Sequence, residues 1–232
     1  MTSKKKYIRF GVLILCLAIG LSFNGKNALV DRALAQENPE LDTRFSLPSS
    51  VIQEQPALAQ TSVAYSGYTR ITDYEEKIMV QVPVEWGDIE TGAWTFKGKH
   101  TGVFLAASTD LGNFYSGRSE SGVLIGVSRS LAQTYNPESL LGLEKRDLSR
   151  QCVERGRFDY KNQFYSGHYD HFANCAEGAP GLFIFTTSSA DHKSLILVRI
   201  SVVSQADLGA LETIINTFQV LGDPERDDHD EL

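Results

Sequence analysis

Residues 152–175 read CVERGRFDYKNQFYSGHYDHFANC, and this stretch decides how the rest of the chain is interpreted. Aromatic residues recur on both sides of a short polar stretch, Lys161-Asn162-Gln163, and such residues favour a pleated surface. Asn tolerates positive φ, so the chain can reverse direction at Asn162. The stretch therefore predicts a β-hairpin. Its aromatic residues are Phe158, Tyr160, Phe164, Tyr165, Tyr169 and Phe172.

The register of this hairpin bears on its two cysteines. A reversal centred near residues 163 and 164 places Cys152 opposite Cys175. Opposed residues of an antiparallel pair have Cβ atoms roughly 4.5–5.5 Å apart, which is close to what a disulfide needs. Closing a loop of about 24 residues is worth roughly 3–4 kcal/mol in the chain-entropy model. We therefore predict a Cys152–Cys175 disulfide, with two buried free thiols as the alternative.

Residues 1–35 have the organisation of a secretory signal. Basic residues between Lys4 and Arg9 precede an uncharged run over residues 10–23, which is shorter than the roughly 18 residues needed to span a membrane. The sequence Ala33-Leu34-Ala35 then predicts cleavage between Ala35 and Gln36. An uncleaved membrane anchor is the alternative.

Export affects the expected compartment and charge. Removal of Cys16 leaves an even pair of cysteines for an oxidising compartment, so we expect a secreted or periplasmic/lumenal protein. Residues 1–35 carry six basic and one acidic side chain, so their loss takes the formal charge from −7 to −12. Such an acidic body argues against a nucleic-acid partner, and membrane contact is expected only through the signal segment.

The remaining boundaries follow from composition. Residues 36–62 contain three prolines and show no sustained periodicity, which predicts a disordered linker. Residues 63–222 are predicted to form a single domain, and residues 223–232 a disordered tail with six acids against one arginine. The last four residues, His229-Asp230-Glu231-Leu232, match the ER-retention signal. The ER lumen is therefore the alternative location if the source is eukaryotic; otherwise the match is a coincidence in an acidic tail.

Alternating and continuous apolar runs predict the strands of this domain. Residues 68–73 and 77–82 alternate as strands with one buried face, and Trp94 is placed in a Gly-rich loop. In further runs both the odd and the even positions are apolar, which predicts central strands covered on both faces. These runs are Gly102–Ala107, Gly122–Val127, Leu182–Phe185 and Leu195–Val203, the last pair joined by the turn Asp191-His192-Lys193.

Two helices complete the prediction. Asn136 and Pro137 suit the N-cap and first position of one helix. Ser204 and Asp207 have capping-box spacing at the start of another. The fold class is therefore α+β, with a mostly antiparallel sheet of about six strands sandwiched by helices. The expected apolar positions are Leu140, Leu141 and Leu148 in the first helix, and Leu208, Leu211, Ile215 and Phe218 in the second.

Candidates for chemistry are few. His168 and Asp170 share one face of a strand while His171 points away, so the three do not converge on one metal without help. The sequence lacks the G-x-S-x-G motif of serine hydrolases and a glycine-rich phosphate loop, and we expect no cofactor or metal.

The basic residues Lys145, Arg146, Arg150, Arg155 and Arg157 form either a patch for an acidic partner or a solvated helix end. The aromatic hairpin is either a partner-binding edge or an ordinary covered face.

The order of several short features resembles a known family. A strand ending Val82-Pro83-Val84-Glu85-Trp86 is followed by Gly122-Val123 and Leu140-Leu141. Then come Cys152, Gly156-Arg157, Asp159-Tyr160, Gly167, Asp170, Cys175 and a closing helix with Asp207-Leu208. Over about residues 68–221 this order resembles bacterial exported domains of the PsbP/Mog1-like type, some of which occur beside trypsin-like protease modules. His171-Phe172 departs from the Trp expected near Asp170. The resemblance implies an antiparallel sheet between helices and a binding or assembly role.

Two functions follow as expectations. The first is an exported, non-catalytic binding or accessory domain that docks a protein partner in the cell envelope or lumen. The alternative is a hydrolase or metal-dependent enzyme that uses the region of His168, Asp170 and His171.

Overall fold

The computed structural model describes residues 44–49, 64–116, 120–148, 151–173 and 181–221. The predicted signal segment with its Ala35/Gln36 cleavage site, most of the linker, Arg150, Cys175 and the acidic tail lie outside these residues. The described strands are β1 (Tyr68–Thr72), β2 (Ile78–Pro83), β3 (Asp88–Phe96), β4 (Lys99–Ser108), β5 (Gly122–Ser128), β6 (Val153–Lys161), β7 (Ser166–Ala173), β8 (Gly181–Ser188), β9 (Leu195–Val202) and β10 (Gln219–Val220). The helices are α1 (Leu111–Ser116), α2 (Arg129–Ala132), α3 (Pro137–Leu148) and α4 (Gln205–Thr217).

The strands form two antiparallel sheets. Seven strands pair in the order β3-β4-β5-β9-β8-β7-β6, and β1-β2-β10 form a smaller sheet. The predicted α+β class with a mostly antiparallel sheet is confirmed, although the described residues contain ten strands where about six were expected.

The large sheet is covered on both faces, as the continuous apolar runs predicted. Successive residues of β4 alternate between two cores: Val103 and Leu105 face one side, and Phe104 and Ala106 face the other. The first core lies against α4 and the smaller sheet, whereas α1, α2 and α3 cover the second. Because β5 supplies both cores, its residues are buried at every position.

Both predicted helices are confirmed with their caps. The Asn136 side chain accepts a hydrogen bond from the Ser139 amide at 2.8 Å, and α3 starts at Pro137. The Asp207 carboxylate accepts the Ser204 amide at 2.6 Å, as in a capping box. All of the predicted apolar positions are buried: Leu140, Leu141, Leu148, Leu208, Leu211, Ile215 and Phe218.

The placement of Trp94 in a loop is wrong. Trp94 lies in strand β3, opposite Gly102, and a register shift separates it from Thr95. Its indole is buried against Gly126 of β5, where a Cβ atom would lie 2.7 Å from the ring. A glycine is therefore required at position 126 to admit the indole. The strand was missed because β3 is at the sheet edge and Trp94 is its only fully buried residue, so it shows little alternation.

The predicted hairpin of β6 and β7 is confirmed, and its predicted register holds from Gly156 to Lys161 but not at its open end. Lys161 pairs with Ser166 and Gly156 with His171, the register that would bring Cys152 opposite Cys175. A bulge between Glu154 and Gly156 then shifts the pairing by one residue near the open end. Cys175 lies outside the described residues, so the disulfide stays a prediction.

Asn162 stabilises the hairpin turn through its side chain, and not through the positive φ that was predicted. It is not among the residues with positive φ in the described chain. Its buried side chain accepts hydrogen bonds from the amides of Phe164 at 2.8 Å and Tyr165 at 2.6 Å, and donates to the Ile215 carbonyl. The turn is thus fastened to α4 by one satisfied polar side chain.

Candidate functional site

The three polar residues singled out in the hairpin make three separate contacts. His168 lies 2.8 Å from Asp159 on the neighbouring strand, and both side chains are solvent-exposed. Asp170 is buried on the same face, and His171 is buried on the opposite face, as the alternation predicted. Within the described ranges, no group of three His, Cys, Asp or Glu side chains is placed to hold a metal ion.

Asp170 serves as the buried partner of Arg157. The guanidinium donates two hydrogen bonds to the carboxylate, from Nε at 2.8 Å and from Nη2 at 2.9 Å. Arg157 also lies 3.7 Å from Glu138 at the start of α3. The pair joins the two strands of the hairpin and compensates the fully buried carboxylate of Asp170, and the Glu138 contact links Arg157 to α3.

The predicted basic patch is divided among different contacts. Lys145 pairs with Glu154 at 2.5 Å, Arg157 pairs with Asp170, and one guanidinium nitrogen of Arg155 is buried without a hydrogen-bond partner. These side chains therefore do not present one cationic surface, and the Lys145 contact joins the end of α3 to the edge strand β6.

His171 is held as a neutral ring. It stacks on Phe183 with ring centroids 4.4 Å apart and an interplanar angle of 4°, and its Nε2 has no hydrogen-bond partner. Burial, with a smaller contribution from the charge of Arg155, lowers the pKa of His171 to about 4. The side chain acts here as an aromatic residue of the core.

A second buried polar group fastens the chain before β1. The Tyr65 hydroxyl donates to Asp207 and accepts a hydrogen bond from Trp86 Nε1 at 3.0 Å. Burial and the bond to Asp207 raise the pKa of Tyr65 well above its ordinary value. Since Asp207 also accepts the amides of Val203 and Ser204, the carboxylate is fully used within the fold.

The feature with the character of a binding site is a slot between α4 and the aromatic hairpin. Residues 44–49, predicted as part of a disordered linker, lie in this slot, and the expectation of a free tether does not hold for them. Phe45 and Leu47 are buried, with 6% and 5% of their surfaces exposed, whereas Arg44, Ser46 and Pro48 are exposed. This alternation is that of an extended segment whose every second side chain enters the domain.

Side chains of α4 bind the backbone of this segment. Asn216 accepts the Phe45 amide at 2.7 Å and donates its Nδ2 to the Phe45 carbonyl at 2.8 Å. Glu212, one turn earlier, accepts the Leu47 amide at 2.8 Å. The helix therefore recognises backbone groups of an extended chain, in a way that does not depend on the side chains of the bound residues.

The aromatic hairpin and the adjacent strand β8 supply the pocket for Phe45. The Phe45 ring meets Tyr160, Tyr169 and Phe185 edge to face, with centroid distances of 6.2, 5.8 and 5.6 Å and interplanar angles near 90°. Edge-to-face contacts of this kind add about 0.5–1.5 kcal/mol per pair beyond the burial of area. The hairpin was interpreted either as a partner-binding edge or as an ordinary covered face. Most of its aromatic side chains form a covered face, and part of that face is covered by residues 44–49.

Among the described helices, none is long and apolar enough to span a bilayer. No protein-family model matches the chain, and no curated protein matches it.

Among solved structures, the chain is similar to a cyanobacterial PsbP from Synechocystis sp. PCC 6803. The two are 10% identical with a TM-score of 0.39, over 71% of this chain and 99% of that chain. The chain is also similar to a protein of unknown function from Pseudomonas aeruginosa, at 11% identity and a TM-score of 0.29, over 61% of this chain and 86% of the other. The architecture given above rests on the chain's own geometry.

Proposed function

We propose that this chain is an exported, non-catalytic binding domain that docks an extended segment of a protein partner in the cell envelope or lumen. The observation that carries the proposal is the slot between α4 and the aromatic hairpin, which holds residues 44–49 through Asn216 and Glu212. A surface that binds the backbone of one extended segment is equipped to bind another with matching side chains.

The slot sets the chemistry of the partner segment. One pocket, lined by aromatic rings, takes an aromatic side chain, and a second position two residues later takes an aliphatic one. The exposed positions at Arg44, Ser46 and Pro48 place little demand on sequence. We therefore expect an aromatic-x-aliphatic segment in extended conformation.

The strength of this docking is compatible with exchange. Burying Phe45 and Leu47 is worth about 1.5–3 kcal/mol each, and each backbone hydrogen bond adds about 1 kcal/mol. Ordering the segment costs about 1–2 kcal/mol per residue for the backbone alone. The net affinity is therefore modest, and the attached segment holds the slot mainly because its effective concentration is high.

Export and the disulfide are part of this proposal. They are supported by the signal-like residues 1–35 and by the even number of cysteines that cleavage after Ala35 would leave. Beyond the bulge Val153 pairs with Ala173, and Cys175 follows two residues later, so a Cys152–Cys175 bridge would close the open end of the hairpin that lines the slot. The alternative of an enzyme has no geometric support in the described residues, because His168, Asp170 and His171 make three separate contacts.

The test uses a full-length chain with its own segment disabled. In a Phe45→Ala/Leu47→Ala variant, a fluorescent peptide with the sequence of residues 42–49 should bind saturably, as measured by anisotropy. Adding Asn216→Ala should weaken this binding by about tenfold or more, since two hydrogen bonds of roughly 0.5–1.5 kcal/mol each are lost. The wild-type chain should bind the peptide more weakly than the double variant.

The matched control is the same peptide with alanine at the positions of Phe45 and Leu47, which should not bind. Absence of binding to the double variant, or binding that is indifferent to Asn216→Ala, would overturn the proposal.

A further inference from the structure

One end of the large sheet carries a cluster of basic residues, although the chain has a formal charge of −7. The β3–β4 turn, the end of β5 and the β8–β9 turn are neighbours there, because β3, β4, β5, β9 and β8 are adjacent in the sheet. The basic side chains in and beside these connections are Lys97, Lys99, Arg129, His192 and Lys193.

A groove runs through this basic end. It consists of two adjoining cavities of about 420 Å³ and about 280 Å³, which share Arg129 and Lys193. His192 lines the first cavity, and the acidic side chain in the lining, Asp191, lies 3.7 Å from Lys193. The groove therefore favours an anionic occupant.

The last residues that the structure describes, Val220 and Leu221, lie at this groove. Val220 and Leu221 line the second cavity, and half of the Leu221 surface is exposed. The Leu221 amide donates to the Lys77 carbonyl at 2.8 Å, which fixes the position of Leu221 at the groove. Residues 222–232 follow directly and carry six acids and one arginine.

We propose that the acidic tail, residues 222–232, docks in the groove lined by Arg129, His192 and Lys193. Its first acids, Asp223 and Glu225, come two and four residues after Leu221, so they reach the groove without any long connection. Attachment makes the contact intramolecular, which raises the effective concentration of the tail far above that of a free acidic peptide. The tail would thus shield the basic end of the sheet from other acidic molecules.

Charge is the main source of this contact, so salt should weaken it. Raising the ionic strength from about 0.01 M to about 1 M shortens the Debye length from about 30 Å to about 3 Å. The slot that holds Phe45 is built on apolar contacts and backbone hydrogen bonds, so its occupancy should respond much less to salt. The two docking events can therefore be separated by experiment.

The test compares backbone amide signals in ¹⁵N NMR spectra of the full-length chain and a tail-neutral variant. That variant replaces the four aspartates of the tail with Asn and its two glutamates with Gln. At low salt, the amides of Arg129, His192 and Lys193 should differ between the two proteins, and this difference should disappear at high salt.

Two double variants that each lose two positive charges, one inside and one outside the groove, test whether the tail contacts the groove. Tail neutralisation should have no effect on the groove amides in an Arg129→Gln/Lys193→Gln background, but its full effect in an Arg70→Gln/Arg146→Gln background. Unchanged groove amides at low salt, or an equal response in both backgrounds, would overturn the proposal. If the groove amides respond to an added oligoglutamate peptide but not to tail neutralisation, the occupant of the groove is a separate acidic partner. That result would also overturn the proposal that the tail docks there.

Discussion

The side chain of Asn216 binds both backbone groups of Phe45, accepting its amide hydrogen at 2.7 Å and donating to its carbonyl oxygen at 2.8 Å. The two residues are 171 positions apart in the sequence. A primary amide can do this because it carries an acceptor and two donors on one planar group. The contact thus turns the last turn of α4 into a recognition element for extended chain.

Replacing Asn216 should release the bound segment without unfolding the domain. In Asn216→Ala, hydrogen exchange of the Phe45 and Leu47 amides should accelerate by about 10- to 100-fold, the effect of losing about 1–3 kcal/mol of local stability. The control Thr213→Ala removes a hydroxyl that bonds only the Gly209 carbonyl on the same helix. Equal exchange in both variants would show that Asn216 does not hold the segment.

Breaking the Arg157–Asp170 pair should be costly. Asp170→Ala leaves the partly buried guanidinium of Arg157 without its main partner, and such a loss typically costs about 3–5 kcal/mol. The control Asp159→Ala removes the exposed partner of His168 on the same strand pair and should cost less than about 1 kcal/mol. Urea unfolding of the two variants measures the difference, and similar midpoints would contradict the structural role of Asp170.

His171 should make the domain acid-sensitive. Its pKa is lowered from an ordinary value of 6.5 to about 4, so the unfolded chain binds a proton more readily than the folded chain. The titration of His171 therefore leaves the free energy of unfolding unchanged above about pH 6.5. Between about pH 6.5 and pH 4 it lowers this free energy, by about 3 kcal/mol in all.

The measurement is the pH dependence of unfolding for the wild type and for His171→Phe, which keeps an aromatic ring on Phe183. The difference between the two proteins isolates the titration of His171. An NMR titration that gave His171 a pKa near 6.5 would refute this prediction.

Two glycines should respond in opposite directions to alanine. A Cβ at Gly126 would lie 2.7 Å from the Trp94 ring, so Gly126→Ala should lower the free energy of unfolding by about 1–3 kcal/mol through overpacking. A Cβ at Gly142, inside α3, meets no atom within 4 Å. Gly142→Ala should therefore stabilise the protein by about 0.5–1 kcal/mol. Thermal unfolding tests both, and a shift of the same sign at the two sites would count against this packing.

The cysteine prediction can be tested by peptide mapping of exported protein under non-reducing conditions. We expect one cross-linked peptide pair containing Cys152 and Cys175. Cys152→Ser/Cys175→Ser should lower the free energy of unfolding by about 3–4 kcal/mol, the value for a loop of about 24 residues. Free thiols at both positions would instead favour the alternative of two buried cysteines.

Local pattern was sufficient for much of the fold. The capping residues Asn136, Ser204 and Asp207 act within a few residues of the helices that they start, so their sequence spacing carries the signal. The β6–β7 hairpin was equally accessible, because its alternation and its polar turn lie within one short stretch. By contrast, strand β3 and the slot gave no comparable signal. Trp94 is buried among exposed or half-buried neighbours, and Phe45 lies in a proline-containing stretch without periodicity.

Residue patterns alone were enough to predict the covered central strands, the two capped helices and the aromatic hairpin, since each depends on interactions between residues close along the chain. By contrast, no local pattern predicted that Phe45 meets Asn216, that Asp170 is bound by Arg157, or that His171 stacks on Phe183. These contacts depend on which surfaces face each other after the chain has folded. Their energies come from burial and satisfied hydrogen bonds, which a linear pattern of residues does not contain.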